Sequence, residues 1–147
     1  MDYVTMAEQL LRGKRRMEAA VENLREEILL LEDAKYSVKT SAVGGAPITG
    51  TGGNRYEDRL IKLISLCDEL RHRRRNLVTN LGCIKRGLQP LTEYQQEVLT
   101  AFYIEGGRHA AERLMSKYHK ERSSIYRDKE KAIKSFTQAV YGAELVP

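Results

Sequence analysis

Residues 121–133 read ERSSIYRDKEKAI, and they hold the side chains of this chain with most to offer chemically. Arg122, Ser123, Tyr126, Arg127 and Glu130 surround one apolar anchor, Ile125. No nucleophile stands beside a base here, and no metal-ligand spacing occurs. What these residues can do is hydrogen-bond. An arginine fork matches a phosphate or the O6/N7 edge of guanine, and small residues such as Ser123 and Ser124 let a helix terminus approach a phosphate backbone closely. The chemistry is recognition of a polyanion. Any amphipathic helix has a charged outer side, so spacing alone leaves plain solvated surface as the alternative.

Such a set works only if a second element holds it. Leu114 and Tyr118 are four apart and share a helix face, and Ile125 lies seven further on, across a polar turn. That spacing suits a helix-turn-helix, in which the second helix packs steeply across the first. Lys117, Lys120 and Lys131, around the turn and along the second helix, are candidate phosphate contacts. Upstream, LTEYQ starts a helix with a capping box, Thr92 to Gln95, and EGG at 105–107 stops it. Val98, Leu99, Phe102 and Tyr103 form its apolar side. A short helix over about 108–118 follows, then one from the opening stretch to about 139, with Ala132, Ile133, Phe136 and Val140 inward.

The first two-thirds of the chain has a different period. Leu10, Met17, Leu24 and Leu31 recur every seven residues within a helix expected over 4–36. Leu60, Leu63, Leu70 and Leu77 mark a second heptad helix over about 55–86. Between them SVKTSAVGGAPITGTGGN (37–54) keeps no period and reads as a flexible linker. Its GTGG lacks the lysine and flanking strand of a phosphate loop. The linker is long enough for parallel or antiparallel pairing of the two helices. A lone pair of helices has little core, so a homodimer is expected. The domain reading is therefore a coiled-coil helix at 1–36, a linker at 37–54, a second long helix at 55–89, a helix-turn-helix module at 90–142 and a tail at 143–147. The fold class is all-α.

The chain has 147 residues and a net charge of +5, unevenly spread. Residues 1–36 carry net −2, residues 37–90 net +6, and residues 108–134 net +5. The cations thus sit where a polyanion would be met, although solubility alone also accounts for them. RHRRR (71–75) places Arg74 on the heptad seam; a snorkelling, solvated stripe is the plain reading and a second phosphate surface the functional one. Cys67 and Cys83 are too far apart on one helix to pair, and read as small buried hydrophobes. No apolar run reaches membrane-spanning length, and the N-terminus lacks the order of a secretory signal, so the cytosol is expected. His72, His109 and His119 have no Ser or Cys partner at motif spacing, so no enzyme, metal, cofactor or small-molecule ligand is expected.

LTEYQQEVLTAFYIEGG, followed by the helix-turn-helix and IYRDKEKAIKSF, resembles the C-terminal region of bacterial sigma factors that reads the −35 promoter element. The matching residues are Leu91, Glu97, Val98, Leu99, Tyr103, Leu114, Tyr118, Ile125, Arg127, Glu130, Ala132 and Ile133. As a whole the chain resembles small phage-encoded regulators of the ArpU and RinA type. The resemblance implies a late-gene transcription activator in a host bacterial cell. Its outward recognition residues would be Arg122, Ser123, Ser124, Tyr126 and Arg127. The partners it implies are double-stranded DNA and, at a promoter, RNA polymerase. His119 and Lys120 depart from the pattern, standing where the turn usually has a glycine and an apolar residue. Nothing resembles the promoter-melting region of a sigma factor. Two other readings stay open: a packaging protein of the small-terminase kind, and a coiled-coil adaptor that binds protein and not DNA.

Overall fold

A computed structural model describes residues 2–44 and 52–144, and these are all-α, with no strand among them. The helices are α1 (Tyr3–Arg12), α2 (Lys14–Gly44), α3 (Gly52–Leu88), α4 (Glu93–Leu99), a π-helical turn (Thr100–Glu105), α5 (Ala110–Tyr118) and α6 (Arg122–Tyr141). Among the described residues no helix is long and apolar enough to cross a membrane. The chain divides into two compact units: Met1–Glu18 with Thr79–Pro147, and Ala19–Val78.

The unit Ala19–Val78 is a helical hairpin. The Arg71 guanidinium pairs with Glu32, and Arg74 Nε donates to the Val21 carbonyl at 3.4 Å. Moving up α2 therefore means moving down α3, and the pairing left open by the sequence is antiparallel. Val21, Val38, Cys67 and Leu70 are buried along the seam. Leu24, Leu31, Leu60, Leu63 and Leu77 are half-buried. Burial of Cys67 pushes its thiol above the ordinary range, whereas Cys83 is only half-buried.

Two boundaries differ from the sequence expectation. The stretch 37–54 does not begin as a linker: α2 runs on to Gly44 and α3 starts at Gly52, while 45–51 lie outside the described residues. The reason is visible at Val38. It stands seven beyond Leu31 and continues the seam, with 7% of its surface exposed, and Thr40 bonds back to the Tyr36 carbonyl at 2.8 Å. Nor is 4–36 one helix. It divides at Gly13 between α1 and α2.

That division sends α1 elsewhere. Asp2 caps it, accepting from the Val4 amide at 3.1 Å. Ala7 and Leu11 then disappear entirely into a core with Ile84, Leu99, Ile133 and Phe136. Leu10 and Met17 pack against the same cluster, so they serve this core and not a coiled-coil seam. Arg12 lies over the Tyr103 ring at 5.3 Å, and Tyr3 meets Tyr141 at 5.5 Å. At Gly87 the approach is so close that a Cβ would stand 2.5 Å from Val140 Cγ2. The module expected at 90–142 thus takes in the N-terminal helix and the end of α3 as well.

α4 starts with the expected capping box, formed both ways by Thr92 and Gln95. The helix then widens into the π turn. Its wall divides two cores: Leu99 and Tyr103 face the cluster with α1, while Val98 and Ala101 face a second one with Ala110, Ala111, Leu114 and Ile125. Gly106 ends the turn at φ 68, ψ −161, a conformation open in practice to glycine alone.

Candidate nucleic-acid interface

α5 and α6 are joined by three residues, His119 to Glu121. His119 takes the left-handed conformation, φ 53, ψ 46, and its amide and that of Lys120 both reach the Met115 carbonyl. The position that resembles a glycine site in other turns is therefore filled by histidine, one of the few side chains that tolerate this region. The reversal drops Ile125 into the second core with no exposed surface. Leu114, four residues before Tyr118, is buried with it. The spacing that anchored the expected arrangement is thus realised as packing.

With Ile125, Ala132, Ile133 and Phe136 inward, the outer side of α6 follows. Ser123, Arg127 and Lys131 stand four apart and are all exposed, as is Glu130. Ser124 is half-buried. Tyr126 is 42% exposed, with its ring 5.6 Å from Phe102. Lys129 lies beneath this group, 4.8 Å from the Phe102 centroid and 5.6 Å from Tyr126. It supports the tyrosine from the domain side, a role the sequence did not suggest. Glu121, the cap residue, gives α6 no side-chain hydrogen bond. The first-turn amides are then available to an incoming acceptor.

The candidate cations separate into two groups. Lys117 pairs with Glu97, which also accepts from the Tyr118 hydroxyl. Arg122 pairs with Glu112 on α5. Lys120 pairs with Asp128 at 2.9 Å and sits over the Tyr94 ring at 4.4 Å. Among the described residues, Arg127 and Lys131 have no ion-pair partner. Lys131 still feels Asp128, and shares a shallow cavity with Lys120, Tyr94 and Thr92. An exposed pair costs little to open, so phosphate can compete for Lys117 and Arg122. Lys120 is held more firmly.

Its holder, Asp128, is the residue that sequence spacing missed. The Tyr94 hydroxyl donates to it at 2.7 Å. Burial pushes the Asp128 carboxyl up, but the hydrogen bonds from Tyr94 and Lys120 and the lysine charges outweigh that and leave it below the ordinary value. Burial, and then the bond to Asp128, push the Tyr94 phenol well above its ordinary range. Tyr94 and Asp128 are 34 residues apart, so no local pattern could pair them. Around RHRRR, Arg71 and Arg73 are ion-paired and Arg74 is half-buried on the seam, as its heptad position implied. No cluster of metal-ligating side chains occurs among the described residues. No family model, no curated protein and no solved structure matches the chain.

Proposed function

We propose that this chain is a sequence-specific duplex-DNA-binding regulator of transcription that reads base edges with the first two turns of α6. One observation carries the reading. Ile125 is locked in the core while Ser123, Arg127 and Lys131 line the outer side of the same helix, with Arg127 free of any ion pair among the described residues. A guanidinium held in that way is available for a two-bond contact to guanine in the major groove. Ser123 and the uncapped first-turn amides supply phosphate contacts that fix register. Tyr126, propped by Phe102 and Lys129, adds a rigid contact beside them. The late-gene activator role, and contact with RNA polymerase at a promoter, follow from the resemblance to phage regulators and sigma factors.

The test starts from duplexes selected out of a random pool by the full chain. Arg127→Ala should cost about 1–3 kcal/mol on the selected site and relax preference at one base pair. Lys131→Ala should weaken selected and scrambled duplexes alike and lower the salt slope by about one. Lys120→Ala and Lys117→Ala are poorer phosphate probes, since each also strips a partner from Asp128 or Glu97. Equal losses on both duplexes for Arg127→Ala and Lys131→Ala would mean that α6 supplies charge without readout. The regulator reading then gives way to a packaging protein.

A further inference from the structure

RGKRR at 12–16 sets four cations in five residues at the junction of α1 and α2. Base reading by α6 makes no use of them. Helical spacing puts Glu8, Arg12, Arg15 and Arg16 toward one side of the helix pair, while Lys14 turns the other way to pair with Glu18. Packing fixes where that side lies. α1 runs antiparallel to α6: Tyr3 meets Tyr141 near one end, and near the other Arg12 and Lys129 approach the same Tyr103 ring, at 5.3 and 5.4 Å. The backbone stays right-handed at Gly13, and the Met17 amide donates to the Gly13 carbonyl at 2.9 Å. Arg15 and Arg16 therefore continue about 4.5–6 Å past Arg12, at 1.5 Å per residue. Along α6 the same direction leads from Lys129 to Tyr126 and Arg122. The arginines come level with the reading turns, on the Tyr126 flank.

Around Arg15 the geometry is that of a clamp for an anion. Arg15 Nη2 lies 3.9 Å from one carboxylate oxygen of Glu105, and Arg113 Nη2, from α5, lies 3.9 Å from the other. Both distances exceed a hydrogen bond. One carboxylate stands between two guanidiniums and satisfies neither. Arg12, Arg15, Arg16 and Arg113 are all exposed, and among the described residues Arg16 has no ion-pair partner. The other nearby acids are placed elsewhere: Glu8 is 4.0 Å from Arg12, Glu112 pairs with Arg122, and Glu130 lies toward Tyr103. Exposed pairs of this kind are worth little, and a phosphate fits the guanidinium fork as a carboxylate does, so displacing Glu105 costs little.

We propose that Arg15, Arg16 and Arg113 form a second contact on the duplex that α6 reads, taking backbone phosphates that border the major groove on the Tyr126 side. This rests on base reading by α6. A helix lying in a groove about 12 Å wide has a phosphate backbone along each side. On the Tyr126 side the fold puts α1 and the end of the π turn, and Arg15 and Arg113 bracket Glu105 there where a phosphate would sit. Contacts of this kind carry no sequence information; they add affinity and fix the angle at which α6 enters. The N-terminal helix is thus part of the DNA-binding surface as well as part of the core beneath it.

The test uses the full chain and its selected duplex. Ethylation interference maps the phosphates in contact. The double variant Arg15→Gln with Arg113→Gln should lose interference at phosphates on one side of the read base pairs and keep the rest. It should lower the salt slope by about two and weaken selected and scrambled duplexes in equal proportion. Arg15→Lys with Arg113→Lys should keep the slope. Glu105→Gln, which removes the competing carboxylate, should tighten binding to both duplexes about two- to fivefold, the equivalent of one exposed ion pair. That gain carries the test on its own if the double variant loses helix. An unchanged slope and phosphate map in a folded double variant overturns the inference, and assigns the arginines to an acidic protein surface instead. Glu105→Gln binding no tighter than wild type overturns it too. The two readings fail separately: a flattened slope here, with no loss of preference in Arg127→Ala, sinks base reading by α6 and leaves this backbone contact standing.

Discussion

Asp128 lies between the inner and outer sides of α6, and its worth comes from two partners far off in sequence, Tyr94 and Lys120. Its carboxyl is held below the ordinary value of 3.8. The ionised form therefore stabilises the fold at all pH values above that, and the contribution is lost as pH falls through the lower, folded value. Tyr94 acts at the other end: its phenol is raised above 10.0, so its contribution is present below that pH and is lost at higher alkalinity. Asp128→Asn should lower stability at neutral pH and flatten the acid limb. Urea midpoints from pH 2 to 7 would show it, and an unchanged acid limb would remove Asp128 from the account. Arg127 is the opposite kind of residue. Among the described residues it is exposed and has no ion-pair partner, so Arg127→Ala should leave the urea midpoint alone while changing DNA readout.

At the scale of elements, α1 is the piece whose role changed most. Heptad spacing places it in a coiled coil. Its buried residues, Ala7 and Leu11, lie instead against Ile84, Ile133 and Phe136. Fully burying one leucine contributes roughly 1.5–3 kcal/mol, and truncating it in a packed core costs about 2–5 kcal/mol once the cavity is counted. Leu11→Ala should therefore destabilise the C-terminal helices by that amount, although it lies about 100 residues away from most of them in sequence. Thermal melts followed by near-ultraviolet tyrosine signals test this, since Tyr3, Tyr103 and Tyr141 all line the contact. A melt that loses no tyrosine cooperativity would return α1 to the coiled coil. The π turn matters at the same scale. It lets Val98 and Ala101 face one core while Leu99 and Tyr103 face another.

For the whole molecule, the division into two units predicts separable loss of structure. Leu70 is 6% exposed on the hairpin seam, and Ile125 is fully buried in the core under α5 and α6. Burying a charge without a partner at either place costs several kcal/mol. Leu70→Lys should remove amide-exchange protection from 19–44 and 52–78 first. Ile125→Asp should remove it from 92–141 first and abolish duplex binding. Hydrogen exchange read by peptide mass distinguishes the two. Simultaneous loss across all helices in both variants would mean that the units unfold as one.

The sequence by itself determined the all-α class, the capping box at Thr92, the buried places of Ile125, Ile133 and Phe136, and the apolar seam along α2 and α3. Each follows from a local rule: a period of 3.5 to 3.6, a cap three residues from its partner, a glycine at a stop. Periodicity also hid something. Leu10, Met17, Leu24 and Leu31 form one unbroken series, yet the chain divides at Gly13 and only the last two serve the hairpin. A seven-residue repeat states that a face is apolar and is silent about what covers it. The same silence applies to Lys117, Lys120 and Arg122, which look like free cations in sequence and are paired in the fold with Glu97, Asp128 and Glu112. Those partners lie 8 to 20 residues away, across turns. Only tertiary structure decides such pairs, because their distances depend on how helices cross and not on position along any one of them.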